Sequence, residues 1–168
     1  QARGHGRGRR DGGARLGMAF EREVHREGTG PGEILLDDHR IGHAPVLPLA
    51  LALEWILRAA RACRPDLAGA TLRDLKVLRG ITLEGFAAAG DRFVVSARQT
   101  VAAPGVELAV ELRHAAGTLH YSATVQMTAA ARLAPANTPL PALERWTHPA
   151  VYDGEVLFHG PRFQVIRS

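Results

Sequence analysis

Pro48–Cys63 (PLALALEWILRAARAC) is the segment that most limits what this chain can fold into. Proline suits the first helical position, where its missing N–H costs nothing. Alanine, leucine and arginine are good helix formers. The first three turns are almost wholly apolar, which predicts a helix buried on most sides. Arg58, Arg61 and Arg64 crowd the C-terminal end, where cations complement the dipole, and Pro65 stops the helix. Beyond the helix the pattern turns to β. Thr71–Leu83 alternates loosely, and Arg92–Val101, Val106–Arg113 and Thr118–Thr128 are runs of strand length. The connections Ala102–Gly105 and His114–Gly117 are of hairpin size. Upstream, Met18–His25 alternates apolar and charged residues. Glu27–Gly32 is a turn cluster, Glu33–Leu36 a short strand candidate, and Asp37–Leu47 a polar loop. One apolar helix followed by a meander of antiparallel strands predicts an α+β domain with the sheet wrapped on the helix.

That layout, over residues 18–130, is the one called a hot-dog fold. The composition allows it: 46% of the 168 residues are apolar, enough for a real core. The net charge of +4 and pI near 10.2 invite a nucleic-acid reading, which the distribution of charge removes. Residues 1–15 hold five of the 21 basic groups and one of the 17 acidic ones, so the remainder is balanced, with 16 of each. Residues 1–17 are Gly/Arg-rich without an apolar period, as a solvated linker is. Without aromatic interleaving their likeness to Arg-Gly RNA-binding tails is weak. A single cysteine, Cys63, forms no internal disulfide, which favours a reducing, cytoplasmic setting and a small core residue. No stretch has the length of a membrane span, and no apolar run succeeds the N-terminal charges as in a secretory signal. Neither nucleic acid nor membrane is an expected partner.

Residues 131–142 are Pro/Ala-rich and read as a second linker. Leu143–Ser168 then carries four of the nine aromatic residues in too short a span for a core of its own. Two readings fit: an extension that packs back on the domain, or the opening of a further unit.

Two clusters could carry chemistry. The first, DDHRIGHAPVLP (residues 37–48), runs into the start of the apolar helix. A histidine there titrates near working pH and serves as a general base. It also lies beside the free N–H groups and positive end of a helix, which polarise a carbonyl. The second, LFHGPRFQ (residues 157–164), is a rigid Gly-Pro turn between two phenylalanines. It suits the wall of an acyl-chain tunnel or a merely packed turn.

On these residues the chain resembles the dehydratase domains of polyketide synthases, especially of the iterative polyunsaturated-fatty-acid and enediyne type. His39 and Pro48 match that family's His-x-x-x-Gly-x-x-x-x-Pro motif, with His43 at the glycine position. LFHGPRFQ matches its Gly-Pro motif, with Tyr152 upstream, and LRDLKVLRGI and HYSATV resemble its strand segments. The resemblance covers about Met18–Ser168. It implies a double hot-dog, of which residues 18–130 are the first unit and residues 143–168 the truncated start of the second. It implies His39 as catalytic base and an aspartate from the second unit's helix as acid. The reaction would be loss of water from a 3-hydroxyacyl thioester on an acyl carrier protein. His43, Pro48, Tyr152, Phe158, Gly160, Pro161 and Phe163 would surround the substrate. No bound cofactor is implied, since the phosphopantetheine arm arrives with the carrier protein. The remainder of the dehydratase domain and of the synthase would be further partners, and the fragment alone would be inactive. A lone unit with an open sheet edge also invites a homodimer, unless part of residues 143–168 covers that edge.

Plainer readings stand beside these. His39 could simply cap the helix or bond a carbonyl. His39 and His43 have the spacing of a metal pair only on a helix, which Gly42, Pro45 and Pro48 oppose, and the sequence offers no clear third ligand. Asp37 and Asp38 suit a solvated turn, Trp55 the core, and Glu54 a bond to backbone or to an arginine. His159 suits packing better than a second base. A hot-dog thioesterase using water and a carboxylate, or a non-catalytic acyl-binding module, are the alternative functions.

Overall fold

The computed structural model describes residues 17–24, 35–101, 105–130, 142, 151–154 and 157–164. The turn expected over 27–32, the two expected linkers apart from Gly17 and Ala142, most of Ala102–Gly105 and much of 143–168 lie outside them. Among the described residues seven strands and one long helix run in order: β1 (Gly17–Val24), β2 (Arg40–Ile41), β3 (Ala44–Pro45), α1 (Leu49–Cys63), β4 (Gly69–Val77), β5 (Asp91–Val101), β6 (Val106–His114) and β7 (Leu119–Thr128). A short 3₁₀ turn, Pro161–Phe163, comes last. The main sheet has the order β1-β5-β6-β7-β4 with every pairing antiparallel, and β2 and β3 form a separate small hairpin.

Alternation along the central strands puts one face of the sheet on the helix. Phe93, Val95 and Ala97 of β5 point inward, as do Leu108, Val110 and Leu112 of β6 and Tyr121, Ala123, Val125 and Met127 of β7. The registers set Val95 opposite Leu112, Val110 opposite Ala123 and Leu108 opposite Val125, so the buried side chains meet across the strands. Onto this face α1 lays the stripe Ala52, Trp55, Ile56, Ala59, Ala60 and Cys63, and it contacts all five strands. The spacing of three and four residues is one helical face, and three alanines in it allow close approach. Burial also pushes the Cys63 thiol upward, against the opposing pull of Arg64.

Four expectations need correction. The helix is not buried on most sides: Leu49 is 43% exposed, and Leu51 and Leu57 are only half-buried, because the sheet covers a single stripe. Pro48 is extended and stands just before the helix as its N-cap, not at its first helical position. Leu35 and Leu36 are helical rather than part of a strand, with Leu36 fully buried by tertiary packing. The strand after α1 ends at Val77. Its register slips between Arg73 and Lys76, where Asp74 takes a positive φ of 49°, and the chain then leaves the sheet.

The departing segment positions the site. Ile81, Leu83 and Phe86 are buried, and Ile81–Leu83 runs back along the end of the hairpin. Leu47 N–H donates to Ile81 O (2.9 Å), Leu83 N–H donates to Pro45 O (2.9 Å), and Val46 pairs with Thr82. Glu54 forms an ion pair with Arg58 on the open face of α1 (2.6 Å), one of the two partners its sequence allowed. No described helix is long and apolar enough to cross a membrane.

Ile56→Ala is expected to destabilise the domain by about 2–5 kcal/mol, since it empties a fully buried site. Leu49→Ala, on the uncovered face, is expected to cost under about 1 kcal/mol. Urea unfolding of the two variants measures the contrast.

Candidate active site

His39 sits where three elements converge. Its backbone N–H donates to Leu36 O (3.1 Å), at the end of the helical Leu35–Leu36 turn, and its carbonyl accepts from Val46 N–H (2.9 Å). Its ring Nδ1 lies 2.8 Å from Val46 O. A carbonyl oxygen only accepts, so Nδ1 carries a proton, and in the neutral imidazole Nε2 is the nitrogen with the lone pair. Val46 lies two residues before Pro48, so this bond ties the imidazole to the start of α1. Among the described residues no side chain caps that start, and no acidic residue lies in its first turn.

Arg40 braces the hairpin from outside. Its Nε donates to Asp37 O (2.8 Å), its Nη1 to His43 O (2.6 Å), and its Nη2 to the Asp37 carboxylate. The tight turn of this hairpin is Gly42-His43. Gly42 supplies the left-handed conformation (φ 62°), so His43 needs no glycine-like backbone. The His43 side chain is exposed at the hairpin tip. His39 precedes β2 and His43 sits in the turn, so the pair does not share a helical face.

The second cluster docks directly on the first. The His39 ring meets Phe158 edge-on (centroids 5.2 Å), His159 (5.2 Å) and Phe163 (5.4 Å). His159 in turn stacks on Phe158 (4.6 Å) and on Phe163 (5.5 Å). The result is a nest of four rings with one hydrogen-bonded imidazole in it. Gln164 Nε2 donates to His159 O (3.1 Å) across the 3₁₀ turn. Tyr152 is half-buried in the turn before this segment, where Gly154 (φ 86°) donates its N–H to Leu157 O (3.2 Å). The aspartates are not merely solvated. Asp37 pairs with Arg40, while Asp38 accepts from Gly160 N–H with its carbonyl (2.7 Å) and from Arg162 N–H with its carboxylate (2.8 Å).

The structure therefore brings together His39, Phe158, Gly160, Pro161 and Phe163, all singled out by sequence, and keeps Pro48 at the adjoining helix start. It adds Asp38 and His159. The position of His159 between two phenylalanines was the available signal for it. Asp38 gave none, because its partners lie more than 120 residues away. Apolar surface gathers around the nest: Ile41 on the hairpin is 62% exposed, Leu49 at the helix start 43% and Phe158 42%. Burial, and secondarily the charge of nearby His39, hold the His159 imidazole below its ordinary range.

No protein-family model matches the chain, and no curated protein matches its sequence. Solved structures do. A GphF dehydratase variant made for improved crystallization aligns at 22% identity with a TM-score of 0.56, covering 94% of this chain and 55% of that one. The dehydratase domain of PpsC from Mycobacterium tuberculosis, in complex with C12:1-CoA, aligns at 22% identity with a TM-score of 0.52, covering 80% and 45%. A dehydratase domain from the CurF module of the curacin polyketide synthase aligns at 14% identity and TM-score 0.49, covering 73% and 42%. The likeness to the GphF and PpsC structures establishes the fold, a hot-dog, and the chain spans about half the length of those structures.

The lowered basicity of His159 has a sign. With its pKa depressed in the docked state, the free segment binds the proton more readily. Docking is unpenalised above the ordinary histidine range and weakens as pH falls through that range toward the lowered value. His159→Phe keeps an aromatic ring and is expected to abolish this acid-side weakening. The pH dependence of the urea midpoint, compared between the two chains, measures it.

Proposed function

We propose that the chain is the histidine-bearing hot-dog unit of a polyketide-synthase-type dehydratase, acting on a 3-hydroxyacyl thioester delivered by an acyl carrier protein. The observation that carries the reading is the bond from Nδ1–H of His39 to Val46 O, which leaves Nε2 as the acceptor of the neutral ring, with Phe158 and Phe163 packed on that ring. An imidazole so held is a general base with its orientation already set.

In this reading Nε2 of His39 takes a proton from the α-carbon of the acyl chain. The electron pair forms the C2–C3 double bond, the C3–O bond breaks, and the hydroxyl leaves as water after receiving a proton from an acid. The acid is an aspartate of a second hot-dog unit, with which residues 143–168 belong. The uncapped start of α1 offers N–H groups to the thioester carbonyl, which raises the acidity of the α-proton. Phe158, Pro161 and Phe163 wall the acyl chain, while Gly160 keeps that wall close to the hairpin. Pro48, Tyr152 and the exposed His43 line the approach taken by the phosphopantetheine arm, which is part of the substrate. The exposed side chains of Ile41 and Leu49 suit a hydrocarbon substrate or the apolar face of the second unit.

The test is His39→Gln in the protein that carries this chain, assayed for enoyl thioester formed from a 3-hydroxyacyl pantetheine thioester. Loss of a positioned general base is expected to lower kcat by about a hundredfold or more, with thermal unfolding unchanged. Retained activity would overturn the assignment. Release of free thiol in place of enoyl product would identify a thioesterase instead.

A further inference from the structure

We infer that Asp38 is a positioning residue for His39, acting by clasping the Gly160–Arg162 turn so that three aromatic rings fall on the imidazole. The inference rests on the reading of His39 as base and deepens it.

Asp38 is itself held from behind, its N–H donating to Leu35 O (3.0 Å). Facing forward, it makes two bonds to the turn. One is main chain to main chain, from Gly160 N–H to Asp38 O (2.7 Å). The other takes Arg162 N–H to Oδ2 (2.8 Å). Pro161 between them has no N–H to satisfy. Gly160 itself caps nothing with a side chain, so the Asp38 carboxylate supplies the turn's missing cap from across the fold.

The contact is also steric. A Cβ on Gly160 would lie 2.9 Å from Cβ, Cγ and Oδ1 of Asp38. Glycine is needed there because the aspartate occupies the space a side chain would take, and the turn therefore sits on Asp38 with little play. Phe158 and His159 precede Gly160, and Phe163 comes shortly after it. All three rings touch His39, which is the residue after Asp38. One aspartate thus ties the register of the aromatic wall to the backbone of the base itself. Asp37, its neighbour, pairs with Arg40.

The geometry sets the substitutions. Asparagine keeps an acceptor oxygen at the Oδ2 position and the same shape, so Asp38→Asn is expected to rescue what Asp38→Ala loses. Gly160→Ala strains the same contact from the opposite side. The primary measurement is the ring-proton NMR of His39 in the full chain, which carries the ring-current shifts of Phe158 and Phe163. Asp38→Ala and Gly160→Ala are both expected to move the His39 signals toward those of an unstacked imidazole while the amide signals of β5–β7 stay in place. Asp38→Asn is expected to retain the wild-type pattern. In the protein that carries this chain, Asp38→Ala is expected to lower kcat for the 3-hydroxyacyl thioester about tenfold or more, the scale of a misplaced reacting group, and Asp38→Asn by under about threefold.

Unchanged His39 signals in Asp38→Ala would overturn the inference, as would an asparagine variant that behaves like the alanine one. Displaced signals in a protein whose His39→Gln variant keeps its activity would uphold the clasp and discard the base.

Discussion

Burial of one stripe of α1 against one face of the sheet is the constraint on which the rest depends. Ile56, Ala59 and Ala60 are fully removed from water, and they face Val95, Leu108, Val110 and Val125, which are equally buried. At roughly 25 cal/mol per Å² of apolar surface, this is the term that outweighs the entropy of ordering the chain. It also fixes a direction. A helix that cannot rotate about its axis without exposing Ile56 must begin at one place on the sheet, and that place is where Val46 and Pro48 hold the start of the helix beside His39. The core sets the position of the site, although no core side chain is placed in it.

Polar bonds then convert that position into a geometry. The hairpin is pinned to Ile81–Leu83 by two main-chain bonds and braced by Arg40, and the imidazole is tied to Val46 O. Each bond alone is worth about 1 kcal/mol. Their effect is cumulative in a different sense. They remove, one after another, the rotations by which His39 could turn away, so that its ring stays packed against Phe158 and Phe163. A histidine on an unbraced loop would lack that fixed orientation.

How much of this was legible in the sequence divides along the same line. The helix, the five long strands and their hairpins arise from periodicity, because burial on one face repeats every two or every three to four residues. The pairing of DDHRIGHAPVLP with LFHGPRFQ came from motif resemblance, and the ring contacts of His39 with Phe158 and Phe163 bring the two together. The residues that sequence misplaced share a cause. Leu35 and Leu36 look like a strand because two leucines carry no period. Leu49, Leu51 and Leu57 look buried because apolarity alone does not say which face the sheet covers. Asp38 looks solvated because its partners are remote in sequence. Local pattern reports which residues want burial, and only the fold reports what they meet.

The uncovered side of α1 gives the charge balance its meaning. Residues 16–168 carry no net charge, so the basicity of the chain lies in its first fifteen residues and not in the part that forms the hairpin and helix start. That region offers hydrocarbon at Ile41, Leu49 and Phe158, around an imidazole with one nitrogen committed and one free. Apolar surface of this kind is costly to leave in water and is retained where something is to cover it. A hydrocarbon chain or a second hot-dog face, the two occupants named in the proposed function, would each do so. On the proposed reading, these exposed residues are the ones that would mark where the chemistry belongs.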